Sequence, residues 1–384
     1  MDLQIFFQPI DELNSSQESM GFLVDSYNNT DCFPDWEIAN VVIISINDNR
    51  GANEEFHQRV SHVQIREHFY NFKFDKDIKI ADLGIVEAGA KISDTYSALI
   101  QITEAIQKKS KFLIVLGGSQ DLTYANYLGY EKLEQTVNLT CIDSHFDVKI
   151  DQNEGLNSNN FINHLLLHHP NFLFNFSIMG FHHYYVGEQQ LRFFDDLYFD
   201  YIRLGELQID LKKMEPFLRN TDILSLDLGS LRNSDFQSAF RRGPNGFFAN
   251  EICQMMKYAG LSDKLSSVGI YNYNSQISSN VDAELIAQFL YFLISGYSER
   301  KKDFPVGNKK EHLKYSVFHD ELKHNLVFHK SLKSDRWWLE VPYPPLKDFK
   351  FDRHHLVPCD YNDYLIAQKG IIPDLWWKTY RKLN

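Results

Sequence analysis

The chain has 384 residues, enough for two or three domains at roughly 150 residues each, or for one long α/β domain. Charged residues make up 23% and the formal net charge is −12. That balance excludes disordered and coiled-coil classes, and it argues against nucleic acid or an anionic membrane as the main partner, since both call for clustered positive charge.

Met1 to Ile10 lacks the basic start and long apolar run of a signal peptide, and no stretch of about 18 apolar residues could span a membrane. Cys32, Cys141, Cys253 and Cys359 are scattered and form no Cys-x-x-Cys pair. A reducing, cytoplasmic setting is the expectation. Val41 to Ile46 reads as a strand, as do Phe112 to Leu116, Asn138 to Ile142, Ser177 to Met179, Ile223 to Leu226 and Ser267 to Ile270. These runs are apolar on both faces, as in strands covered by helices on each side. Ser93 to Lys109 and Asn250 to Ala259 are amphipathic, and Ser279 with Asp282 starts a mostly apolar helix over Val281 to Tyr297. The alternation predicts an α/β fold of three layers, a mostly parallel sheet between helices. Two loops stand out: Asp151 to Asn160, and Gly229 to Gly246 with Arg241-Arg242. From Lys301 the texture turns basic and then aromatic, with Trp337-Trp338 and Trp376-Trp377. Residues 1–300 are therefore expected to form the main domain. Residues 301–384 read as an extension packing on that core or, less simply, on a partner or second copy.

In parallel α/β sheets, ligands sit beyond the carboxyl ends of the strands. The residues found there are Gly117-Gly118-Ser119-Gln120-Asp121, Asp143-Ser144-His145-Phe146-Asp147, Asp227-Leu228-Gly229 and Tyr271-Asn272-Tyr273-Asn274. In an extended segment alternate side chains share a face, so Asp143, His145 and Asp147 can converge. Carboxylates with imidazole suit Mn, Zn or Fe-type ions. The competing structural account is that Asp143 and Asp147 cap a loop and helix; the placement of Asp227 at a second strand end favours a site. Weaker candidates are His164 and His168, expected to be exposed helix histidines; His182-His183, expected at the rim or in packing; and Gly117-Gly118, which could cradle a phosphate. Cys141 is expected to be inert core, and no Ser has a Gly-x-Ser-x-Gly context.

Together Gly117-Gly118-Ser119-Gln120, Asp143-Ser144-His145-Phe146-Asp147 and Ser225-Leu226-Asp227-Leu228-Gly229 resemble the ureohydrolases (arginase, agmatinase, formimidoylglutamase). Asp82-Leu83-Gly84, the Gly243 to Gly246 turn and Gly269 to Asn274 are softer matches, the last most similar to the formimidoylglutamase branch. The resemblance covers residues 40–298. It implies two Mn ions, roughly 3.5 Å apart, sharing a hydroxide that attacks an amidine or guanidine carbon. On that basis Asp143 and Asp227 match bridging carboxylates, Asp147 a ligand of the first metal and His145 a ligand of the second. Homo-oligomers are likewise implied.

Three positions depart from the pattern. Gln120 replaces the histidine of Gly-Gly-Asp-His, Gly229 the second aspartate of Ser-x-Asp-x-Asp, and Asn272 an acid that grips the amidinium. No histidine falls within Ser158 to Phe161, where the proton shuttle is expected. With fewer carboxylates to offset two dications, one Mn ion or none is expected rather than two, with Gln120 as a weak oxygen donor. Two functions follow: a weakly active or inactive relative used for binding or assembly, or a Mn-dependent hydrolase of a linear amidine such as formimidoylglutamate. The losses point to the first.

Overall fold

A computed structural model describes residues 2–13, 15–52, 61–149, 154–305, 309–343 and 353–384. The first residues of the Asp151 loop and prolines 344 and 345 lie outside them.

The strands of the main domain are β1 (Val24–Ser26), β2 (Val41–Asn47), β3 (Ile80–Glu87), β4 (Phe112–Leu116), β5 (Val137–Ile142), β6 (Leu173–Phe181), β7 (Asp200–Arg203), β8 (Ile223–Asp227) and β9 (Ser267–Tyr271). They form one parallel sheet in the order β1-β3-β2-β4-β9-β8-β5-β6-β7. Its helices are α1 (Val63–Asn71), α2 (Ile92–Lys108), α3 (Leu122–Leu128), α4 (Phe161–Leu167), α5 (Glu188–Asp196), α6 (Leu204–Ile209), α7 (Met214–Asn220), α8 (Ala249–Gly260) and α9 (Asn280–Ser298). Every residue of β2, β4, β5, β8 and β9 is buried, so apolar side chains on both faces meet helices. One face packs on α8 and α9, the other on α2 and on α4 with α5. The expected three-layer α/β architecture is present.

β3 was not anticipated because Asp82 and Gly84 interrupt its apolar pattern. Asp82 is fully buried yet paired: it accepts from Arg66 Nε at 2.7 Å, from Tyr70 Oη at 2.9 Å and from the Gly84 amide at 3.0 Å. The helix α9 starts at the predicted cap, Ser279 accepting from the Asp282 amide. Asp282 does not reach back to close a capping box; its carboxylate instead receives the Ser238 hydroxyl and the Gln237 amide.

The extension contains four strands, which its mixed Lys, His and aromatic texture did not announce. They are β10 (His312–His319), β11 (His324–Ser331), β12 (Trp337–Glu340) and β13 (Leu356–Cys359), paired antiparallel in that order, followed by α10 (Tyr361–Gln368) and α11 (Asp374–Leu383). It has its own core, including Phe328, Trp337, Leu339 and Trp376. It also packs on the main domain. Arg219 of α7 donates to the carbonyls of Trp337 and Cys359, each at 2.9 Å, and its guanidinium lies 4.6 Å from the Trp338 ring centre. Lys378 of α11 reaches Asp200 of β7 at 3.0 Å. Among the described residues no helix is long and apolar enough to cross a membrane.

Candidate functional site

β4, β9, β8 and β5 are neighbours in the sheet, so the turns leaving their carboxyl ends share one rim. On it sit Gln120, Asn272, Asp227 and the Asp143–Asp147 segment. Asp143, Asp147 and Asp227 are between 0% and 3% exposed, and Gln120 is fully buried. The three carboxylates act on one another: burial raises Asp143 well above the usual carboxylate range, and Asp147 and Asp227 raise it further. Burial also raises Asp227, against Arg241 and two hydrogen bonds that lower it.

Protein donors surround this cluster. Gln120 Nε2 donates to Asp143 Oδ2 at 2.9 Å, and the His145 amide donates to Asp143 Oδ1 at 2.9 Å. Asn272 Nδ2 donates to Asp227 Oδ1 at 2.9 Å, and the Gly229 amide donates to the same oxygen at 2.8 Å. Arg241 Nη1 lies 3.0 Å from Asp147 Oδ1. Burial works to lower the Arg241 pKa, but Asp147, Asp143 and Asp227 together raise it.

The sequence-based roles change accordingly. Gln120 was expected to offer an oxygen; it offers N–H, while its Oε1 has no protein partner. Asn272 was placed at the substrate. Instead it is a 4% exposed clamp with φ +66°, accepting from the Gln120 amide while holding Asp227. An asparagine tolerates this left-handed geometry better than most residues. Gly229 brings no ligand but does donate its amide. His145 turns towards its neighbours: Nδ1 meets Ser144 Oγ at 2.8 Å and the ring stacks on Tyr185 at 4.2 Å. Burial and then Arg241 push its pKa down to about 4, so it is neutral at pH 7.

The lower-ranked candidates also find their places. A Cβ on Gly118 would lie 1.8 Å from the Asp48 carbonyl, so that glycine serves backbone packing rather than a phosphate. His168 is not an exposed helix residue: it follows α4, half-buried between Tyr124 Oη and Glu131. His164 is half-buried too. Cys141 is fully buried and its thiol pKa is pushed up by burial. Ser158, in the loop searched for a shuttle histidine, donates to the buried Asp121, which Tyr96 also contacts. A groove of about 780 Å³ is lined in part by His182, Tyr184, Arg203, Arg232 and Phe248, and His182 packs on Tyr185, the ring that stacks on His145. His182 is 5% exposed there, with Nε2 unpartnered. Sequence reasoning places Arg241 only within a loop; the signal that flags it is a cation in the segment that has glycine rather than a carboxylate at position 229.

The arginase family model matches residues 48–294. The chain belongs to the arginase family. Formimidoylglutamases from Macrococcus caseolyticus and Fusobacterium nucleatum are 32% and 33% identical to it over 88 and 94 residues. Each match spans 22% of this chain, and 28% or 29% of the relative. The fold is similar to that of formimidoylglutamase from Bacillus subtilis (TM-score 0.66, 14% identity, 78% of this chain and 99% of that one). It is also similar to Trypanosoma cruzi formiminoglutamase solved with Mn²⁺ (TM-score 0.62, 18% identity, 69% and 95%).

The family implies a manganese pair, and the residues present do not fit one. Among the described residues no three His, Cys, Asp or Glu side chains converge as a cation cage. Two amide N–H groups and a guanidinium point at the carboxylates that would have to receive the ions. A bound cation needs lone pairs in those directions, not protons.

Proposed function

We propose that this arginase-family protein uses its fold as a binding or assembly scaffold and has little or no hydrolytic activity. The observation that carries this reading is the pair of amides: Gln120 and Asn272 satisfy Asp143 and Asp227 from within the protein. Carboxylates committed to neutral donors are poor places for two mutually repelling dications, and without the pair there is no bridging hydroxide. The groove lined by His182 and Tyr184 offers a surface for a small ligand or peptide, and the extension one for self-association or a protein partner. No nucleic acid or membrane partner is part of the proposal, and a cytoplasmic setting is.

A second reading has its own support. Asp147 Oδ2, Asp227 Oδ2 and Gln120 Oε1 are buried without a protein partner, and oxygens of that kind suit a single cation. The arginase-family match and the formimidoylglutamase relatives favour this reading over the first: a metal-dependent hydrolase of a linear amidine.

Purified protein dialysed against Mn²⁺ and then buffer is assayed for metal by mass spectrometry and for ammonia and formamide release from formimidoylglutamate. The scaffold reading expects less than one ion per chain and no release above background. Metal-dependent turnover that Asp143→Asn abolishes would establish the second reading in its place.

A further inference from the structure

We propose that Arg241 is a tethered cation that neutralises the carboxylate cluster from within, and that Gly229 is the substitution that admits it. The proposal rests on the scaffold reading and deepens it, because it names what keeps a divalent ion out.

The contact is direct. Arg241 Nη1 lies 3.0 Å from Asp147 Oδ1, and Asp147 is 3% exposed. Its charge is felt by all three acids of the cluster. A buried carboxylate trio without a counter-charge is costly, and a guanidinium is the side chain best suited to offset it.

The loop that carries Arg241 is held at several points rather than draped over the rim. Ala239 makes an antiparallel bridge with Tyr273, and the Phe240 amide donates to the Asn272 carbonyl at 3.1 Å. On the far side the Asn233 amide donates to the Gly243 carbonyl at 2.9 Å. This path runs against Gly229. A Cβ at 229 would meet the Arg241 carbonyl at 3.1 Å, Arg241 Cβ at 3.3 Å and Asp227 Oδ2 at 3.1 Å. Even an alanine there is tight, and a longer acid would have to push the loop outward. The two features are therefore one exchange. The segment cannot easily keep a carboxylate at 229 and also bring Arg241 to Asp147. The chain has given up a ligand and taken on its own cation.

The test uses the full chain, stripped of metal with a chelator and titrated with Mn²⁺ alone by calorimetry, with thermal unfolding run in parallel. Arg241→Met is expected to bind one Mn²⁺ at least tenfold more tightly than the wild type, and its melting temperature should rise on adding Mn²⁺. Arg241→Lys, which keeps the charge, should behave as the wild type. Gly229→Ala, which leaves Arg241 in place but crowds its loop, should gain affinity by several-fold; it keeps the test alive if Arg241→Met does not fold. Asp147→Asn combined with Arg241→Met should gain nothing. Arg241→Met or Gly229→Ala binding Mn²⁺ no better than a wild type that holds none overturns the tethered cation and leaves the scaffold reading standing. So does a gain in Arg241→Lys as large as in Arg241→Met. A wild type that holds two Mn²⁺ tightly and hydrolyses an amidine overturns both.

Discussion

Asp143→Asn should make the chelated protein more stable at neutral pH. Asp143 is 2% exposed, and its folded pKa is raised by burial, then by Asp147 and Asp227. A carboxylate whose folded pKa lies above the unfolded value near 3.9 costs stability at high pH, and that cost disappears as pH falls through the folded pKa towards the unfolded one. At pH 7 the ceiling for one acid is about 4 kcal/mol, from roughly three pH units at 1.36 kcal/mol each. Against this stand two accepted hydrogen bonds, from Gln120 Nε2 and the His145 amide. An asparagine carbonyl can keep the second. For the first, the Gln120 amide need only rotate, since its unpartnered Oε1 can then accept from the new NH₂. Taking about 1 kcal/mol for imperfect replacement leaves a net gain of about 1–3 kcal/mol. In a domain of this size that is a rise of roughly 2–5 °C in Tm. The assay is thermal and urea unfolding in chelator at pH 7 and again near pH 4, where the gain should shrink towards zero. A variant less stable than the wild type at pH 7, or equally stabilised at both pH values, would refute the argument that repulsion among these acids dominates.

Other substitutions test the surrounding structure. Gly229→Asp places a further acid about 5 Å from a buried carboxylate, worth about 3 kcal/mol of repulsion at an effective dielectric of 20. It also crowds Arg241, so it should lower stability by about 2–4 kcal/mol in urea unfolding, and adding Gln120→His should not restore it unless Arg241 is shortened as well. Arg66→Met leaves Asp82 buried without its counter-charge and should cost about 3–5 kcal/mol, read from the same curves. Arg219→Met removes the donors to the Trp337 and Cys359 carbonyls and should cost about 2–4 kcal/mol. Faster limited trypsin cleavage within 309–384 than elsewhere would report the extension loosening first.

The sheet was legible where its chemistry is local. Runs such as Val41–Asn47 and Ile223–Asp227 are apolar because helices cover both faces, and that requirement is written in consecutive residues. β3 was hidden because Asp82 is stabilised by Arg66, 16 residues earlier and on a different element. β10 and β11 were hidden because their exposed side chains include Lys and His, which blur the alternation. At the site, position was readable and orientation was not. The carboxyl-end rule put Asp143, Asp227, Gln120 and Asn272 near one another, but an amide has two ends. Only the neighbouring acids decide that its N–H turns inward. Arg241 meets Asp147 across 94 residues, and nothing in Arg241-Arg242 alone says which arginine is drawn in.

Such a cluster persists only if the fold can tolerate it. Three buried acids are a liability to folding, and simple loss of metal would leave them uncompensated. Removing them would be one remedy, but Asp143 and Asp227 also organise the strand ends: Asp143 receives the His145 amide, and Asp227 receives the Gly229 amide and the Asn272 side chain. Retaining the acids and changing their neighbours preserves those turns. The Gln120 and Asn272 side chains, the Gly229 amide and Arg241 therefore form a set of donors that makes the carboxylates tolerable without an ion. On that account, reverting Gln120 alone, with Arg241 still seated on Asp147, should recreate no cation site. Improved Mn²⁺ binding from Gln120→His alone, with Arg241 still seated on Asp147, would show that the changes are independent.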